Sequence, residues 1–221
     1  MVRPDITLAV QQCAKFNNAP NREHEEAIKR ICRYLLKRKE KGLVCKPDRN
    51  RGLECYVDAD FAGSWEKNND TDEQSLYSRT GFCIFYGGCP ILWKSKTQTL
   101  IALSTTEAEY VALSSALREV IGILQLLDEL KANGLPVHSN TPKFVCKTFE
   151  DNQSCINIAT EHKSRPRTKH FALKLHHFRS YVVNKTIEIE HISTKEQIAD
   201  IFTKPIPKLQ FEYLRRKLMH W

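Results

Sequence analysis

An α/β fold is predicted for this 221-residue chain by three observations. Segments with strand composition recur at 53–61, 80–87, 90–95, 143–149 and 186–192. A long helical pattern follows the third of them, and two later strands each run into a further helical pattern. Gly and Pro are few, at 8 and 9, and polar or glycine-containing spacers such as PDRNRG and GGCP separate successive elements.

The elements follow in order. From Glu23, Ile28, Ile31, Cys32 and Leu35 fall on one helical stripe, acids lead it, bases end it, and Gly42 is the expected stop. After PDRNRG, LECYVDADF reads as a strand, and TGFCIFYG and PILWKSK as two more joined through GGCP. Ser104-Thr105-Thr106-Glu107 is a capping-box pattern, with Ser104 as cap and Glu107 reaching back. Leu113, Leu117, Val120, Leu124 and Leu127 then form one stripe. At roughly 100° per residue, Glu109 lies about 40° from Leu113 and Glu107 about 120° away, so Glu109 is predicted on the inward face. A buried acid requires a partner, a metal or a proton; the competing reading is a partly exposed first-turn Glu favoured by the helix dipole.

KFVCKTFE reads as a strand and NQSCINIA as the start of a helix, with Asp151 at the joint. That is where sites form in open α/β sheets, although Asp151 could serve only as a helix cap. TIEIEHI is a short strand, and Ser193-Thr194-Lys195-Glu196 offers a second capping box before a short helix that carries Asp200 and ends at Pro205 and Pro207. In the tail, Phe211, Leu214, Leu218 and Trp221 share a face.

Composition narrows the function. With 41% hydrophobic and 27% charged residues, collagen-like, low-complexity and wholly disordered readings fail. No apolar run approaches the roughly 20 residues that cross a bilayer, and MVRPDITLAV lacks the apolar core of a secretory signal. The eight cysteines form no CxxC pair, so they are expected to be reduced thiols, most of them in the core. The net charge is +8, and residues 28–51 alone, with ten bases and two acids, sum to that value. An acidic block (54–78) and a basic block (162–187) cancel elsewhere. Such blocks are either solvated surface or a polyanion footprint beside a cation site.

Tyr56-Val57-Asp58-Ala59-Asp60 looks superficially like the Tyr-x-Asp-Asp box of reverse transcriptases, but Ala59 separates the acids and the context is a strand. A second resemblance is specific. YVDADFAGSW, SRTGFCIFYGGCPILWKSKTQT, ALSTTEAEYVALSSA, EDNQSCINIA, RPRTKH and EQIADIFTKPIP occur in the order seen in the ribonuclease H domain of copia-type retrotransposon Pol polyproteins. RPDI and the helix ending in RICRYLLKRKEKGL resemble the segment joining that domain to the reverse transcriptase, so the likeness covers residues 2–207.

The resemblance implies a ribonuclease H-like α/β fold: a mixed five-stranded sheet, its first three strands antiparallel, flanked by helices. It implies a helical basic segment at 1–51, a ribonuclease H-like domain at 52–207 and an amphipathic helix at 208–221. It implies endonucleolytic hydrolysis of the RNA strand of RNA–DNA hybrids, with two Mg²⁺ ions (Mn²⁺ an acceptable replacement) held by Asp58, Glu109, Asp151 and Asp200. Asp60, Glu107 and Glu150 compete for those registers. Arg79, Lys94, Lys96, Lys163, Arg165, Arg167 and Lys169 are the expected nucleic-acid contacts, and the polymerase domain of the same polyprotein is the expected partner. The expected location is intracellular, in a cytoplasmic virus-like particle or the nucleus, with no membrane and no secretion. One departure concerns the mobile histidine that cellular ribonucleases H carry before the last aspartate: here His191 lies at a strand end, leaving either no such helper or a partial substitute. A non-catalytic nucleic-acid-binding or scaffolding remnant is the alternative function.

Overall fold

The computed structural model describes residues 3–63, 76–137, 143–161 and 172–221, with side chains from 177 onward in the last stretch. Its centre is β1 (Leu53–Asp60), buried along nearly all its length. β2 (Arg79–Tyr86) pairs antiparallel with β1, placing Gly81 opposite Asp58, and β3 (Cys89–Thr97) pairs antiparallel with β2. Gly87 and Gly88 connect them at φ +57° and +76°, the left-handed conformation that two-residue hairpin turns require. β4 (Cys146–Glu150) runs parallel to β1, and β5 (Ile187–His191) parallel to β4, giving the order β3-β2-β1-β4-β5. This is the mixed, five-stranded sheet with three antiparallel strands first that the ribonuclease H resemblance implies.

Each face has its own core. Alternation along β1 sends Cys55 and Val57 one way and Tyr56 the other. On the first side lies α3 (Thr105–Ala132), whose predicted stripe from Leu113 to Leu127 packs with Val57, Phe82 and Ile84. On the second, Tyr56, Cys83 and Phe85 meet α6 (Asp200–Thr203) and α7 (Lys208–Met219) through Ile201, Phe202, Leu214 and Leu218. α4 (Gln153–Thr160) and α5 (Ala172–Val183) complete the α3 side. By length and composition alone α3 is apolar enough to cross a membrane, although no uninterrupted apolar run in it approaches the roughly 20 residues of a bilayer span. Its apolar stripe is instead spent on the sheet.

The N-terminal segment forms α1 (Thr7–Ala14) and α2 (Arg22–Leu36). α2 ends before Gly42, with Lys37 as its C-cap, and no residue of it is buried. Asp5 ties this segment to the chain's other end: it takes a two-pronged contact from Arg3 (2.9 and 2.7 Å) and accepts from the Tyr34 hydroxyl at 2.6 Å, which in turn accepts from Arg215 of α7 at 3.1 Å.

One glycine controls how closely α6 approaches the sheet. A Cβ on Gly81 would lie 2.5 Å from Thr203 Cγ2, 2.8 Å from Phe202 Cβ and 3.1 Å from the Ala199 carbonyl. Gly81→Ala should therefore destabilise the fold by about 1–3 kcal/mol, the usual cost of overpacking. Gly122→Ala, in α3 with nothing within 4 Å of the new methyl, should stabilise by about 0.5–1 kcal/mol. Thermal melts of the two variants should shift in opposite directions; equal shifts would rule out the close approach.

Candidate metal centre

The paired register of β1 and β4 ends at Tyr56 and Phe149. Beyond it β1 continues beside β2 while β4 turns into α4, which opens the crevice at strand carboxyl ends where open α/β sheets bind ligands. Asp58 on β1 is 1% exposed, Glu109 on α3 4%, and Asp151 follows the last residue of β4. One carboxylate oxygen from each of these three lies within 4.8 Å of the other two. Asp200, the first residue of α6, is linked to Asp58 through Lys204, whose Nζ is 2.9 Å from Asp200 Oδ1 and 3.5 Å from Asp58 Oδ1. The four predicted acids thus converge, three mutually and the fourth across a lysine.

Local structure explains why each points inward. Asp151 is not the cap of α4; Asn152 is, its side chain accepting from Cys155 N at 3.0 Å. Asp151 is left to accept from the Thr194 hydroxyl at 2.7 Å. The predicted capping box at 193–196 does not form, since Thr194–Glu196 is a 3₁₀ turn without a side-chain cap. Ser104 does cap α3, while Glu107 reaches Leu103 N at 2.7 Å rather than Ser104 N. That contact keeps Glu107 at the helix end and leaves Glu109 facing in. Glu150, the third register competitor, is fully buried: Oε1 accepts from Asn152 N at 3.1 Å and Oε2 has no hydrogen-bond partner.

Three contributors were not predicted. Gln197 is fully buried and donates from Nε2 to the carbonyls of Val57 (2.8 Å) and Phe149 (3.3 Å), bridging the two strands where they part. The Thr203 hydroxyl donates to Asp58 Oδ2, and Lys204 contacts two of the acids. Thr203 and Lys204 stand three and four residues after Asp200, the spacing of one helical face, so the sequence did carry a signal for them. Gln197 left none, because its task exists only once the strands diverge.

Burial dominates the electrostatics. It pushes the Asp58 carboxyl up to about 7, with Lys204 and Thr203 opposing and Asp200 reinforcing the rise. Glu109 is raised strongly by burial and then by Glu150, Asp58 and Asp151. Glu150 is raised well above the usual range by burial, against the Asn152 N–H. For Lys204, burial acts downward, but the pull of Asp58 and Asp200 outweighs it and its pKa rises. The donor set is all carboxylate oxygen, which suits Mg²⁺ or Mn²⁺, and the buried, unpartnered Glu109 Oε2 is an atom such a cation would satisfy. The residues present fit a divalent cation.

The predicted nucleic-acid contacts are placed differently from one another. Lys96 is exposed and, with Lys94, Arg118 and His177, lines a cleft of about 630 Å³. Lys94 also pairs with Glu119 at 3.3 Å. Arg79 is only 5% exposed and donates within the sheet to Ser95 (3.1 Å) and Thr97 (3.3 Å), so its guanidinium is not offered to a ligand. Lys163, Arg165, Arg167, Lys169 and the acidic stretch 66–73 lie outside the described residues. His191 stands opposite Glu150 in the β4–β5 register, exposed at the strand end.

Comparisons with known proteins agree with the motif order. The chain is 33% identical over 98% of its length to the retrovirus-related Pol polyprotein from transposon RE2 of Arabidopsis thaliana. It is 37% identical over 95% of its length to that from transposon TNT 1-94 of Nicotiana tabacum. It belongs to the Pol polyproteins of copia-type retrotransposons. The chain spans 14% of the length of each of those two Pol relatives. No family model matches it. Among solved structures it is similar to LC11-RNase H1, isolated from compost (TM-score 0.45, 16% identity, 69% of this chain and 92% of that one). It is also similar to RNase H1 from Halobacterium salinarum (TM-score 0.40, 15% identity, 69% and 95%).

Two outcomes follow from this Pol segment's geometry. Gln197→Leu leaves two buried carbonyls without their donor and should cost about 1–3 kcal/mol, read from denaturant midpoints; no loss would refute the bridge. In metal-free protein the raised carboxyls retain protons that the unfolded chain has released. Stability should therefore fall as pH rises from about 4 through about 7 for Asp58, by at most about 1.4 kcal/mol per pH unit per group. Melting temperatures in EDTA should be lower at pH 8 than at pH 5.5, and millimolar Mg²⁺ should narrow the gap; a flat profile would contradict the buried cluster.

Proposed function

We propose that this chain hydrolyses the RNA strand of RNA–DNA hybrids, endonucleolytically and with divalent cations, within retrotransposon reverse transcription. The observation that carries the reading is the convergence of Asp58, Glu109 and Asp151 at the split between β1 and β4, with Asp200 beside them. Membership of the Pol family supports the substrate class. Asp58, Glu109, Asp151 and Asp200 would hold Mg²⁺. When bound, such ions activate water and relieve charge on the leaving oxygen in phosphodiester hydrolysis.

The chain's own residues set up this chemistry. Thr203 and Thr194 fix the carboxylates of Asp58 and Asp151, so that neither must be ordered at the moment of reaction. Gln197 keeps the crevice at a set width. Lys94, Lys96 and Arg118 give a basic cleft for backbone phosphates, a salt-dependent contact that carries no sequence information. The reading also places a polymerase domain upstream in the same polyprotein, within an intracellular particle or the nucleus.

Cleavage of a labelled hybrid should require Mg²⁺ or Mn²⁺. Asp58→Asn and Asp151→Asn should each lower it by at least about 100-fold, since loss of a direct ligand should exceed the 10–100-fold typical of outer partners. Hybrid binding should survive in both variants. Salt-sensitive binding with no cation-stimulated cleavage by the unaltered chain would instead favour a non-catalytic remnant.

A further inference from the structure

We propose that the Lys204 ammonium is a tethered cation of this centre, holding the Asp58–Asp200 side, so that divalent cations load the site unequally. The first binds among Asp58, Glu109 and Asp151; a second reaches the Asp200 side only as Lys204 gives way. The inference rests on the metal reading above and adds to it an order of loading and the residue that sets it.

The geometry is one-sided. Lys204 Nζ lies 2.9 Å from Asp200 Oδ1 and 3.5 Å from Asp58 Oδ1, between the two carboxylates rather than beside one. Among the described residues no ion pair reaches Glu109 or Asp151; the buried Asp200 Oδ1 has no hydrogen-bond partner but has the Lys204 ammonium at 2.9 Å, whereas the buried Glu109 Oε2 has neither. One half of the centre thus has a positive charge built into the chain, and the other half has none. A divalent cation entering between Asp58 and Asp200 meets that ammonium at contact distance, whereas one entering between Glu109 and Asp151 meets two carboxylates that no ion pair among the described residues engages, one of them with the unpartnered Glu109 Oε2.

The backbone holds the lysine there. Its N–H bonds the Asp200 carbonyl at 3.2 Å, closing the single turn of α6. Its φ and ψ of −136° and 154° are extended, the conformation favoured before a proline, and Pro205 follows. The stem therefore leaves from a fixed point four residues after Asp200. Yet its side chain is 32% exposed, against 1% for Asp58 and 5% for Asp200, so the ammonium has an open path to solvent when a competing cation arrives. A fixed root and a free exit suit a displaceable charge better than a permanent structural ion pair.

The test is a Mn²⁺ titration of the full chain without nucleic acid, by calorimetry and by the electron-spin signal of free Mn²⁺. The unaltered chain should show two classes separated by about tenfold or more, within the usual range of coupling between sites. Lys204→Met should tighten the weaker class by about tenfold and move the tighter class less than about threefold, while Lys204→Arg keeps the original pattern. Asp200→Asn should abolish the weaker class alone, which tests the assignment even if Lys204→Met does not fold. Two classes unchanged in Lys204→Met, or loss of the tighter class in Asp200→Asn, would overturn the role of Lys204 and leave the metal centre standing. Absence of Mn²⁺ binding by the unaltered chain would overturn both.

Discussion

Carboxylates brought together out of water repel one another and lose hydration, and much of this structure is arranged around that fact. Asp58, Glu109, Glu150, Asp151 and Asp200 meet at the point where β1 and β4 part. Five ionised acids could not share that volume. The fold manages them by burial that favours the protonated forms of Glu109 and Glu150, by the Thr203 and Thr194 hydroxyls, and by one lysine. In the proposed function a divalent cation would complete the list. The same repulsion that makes the cluster costly would then drive metal binding, coupling stability to function through one cluster.

The second face of the sheet exists largely to hold that cluster. α6 is one turn long and would not persist alone. It is fixed by contact with β2 at Gly81, by Phe202 and Ile201 in the core beneath it, and by Gln197 just before it. α7 closes this core with Leu214 and Leu218, and Arg215 reaches through Tyr34 to Asp5. The two ends of the described chain are thereby joined on the side that carries Asp200. α2 enters this arrangement through Tyr34 alone among these hydrogen bonds, and none of its residues is fully buried.

How much was legible in the sequence differs by residue. Glu109 was readable because a stripe of five apolar residues fixes the phase of α3, and phase alone points a side chain inward. Asp151 was half readable: its place after a strand was plain, but only the observed cap at Asn152 shows that Asp151 is free for the site. Arg79 misled, because a basic residue at a strand start reads as surface until the neighbouring hydroxyls of Ser95 and Thr97 are seen to enclose it. Glu150 beside Asp151 shows the limit of register arguments, since both are acids at one strand end and only their burial and partners separate them.

By itself the sequence determined what periodicity and local chemistry encode: the strands, the capped α3, the glycine hairpin, the inward phase of Glu109, and the family through motif order. These depend on neighbours within a few positions, where spacing dictates direction. Tertiary structure alone decided which strands diverge, how near α6 comes to the sheet, and that Gln197 and Lys204 belong to the centre. Gln197 acts on carbonyls 140 and 48 residues away, and Lys204 on an aspartate from the first strand. No local pattern carries such distances, because hydrogen bonds and charge act through space and the chain brings those groups together only when the whole sheet has formed.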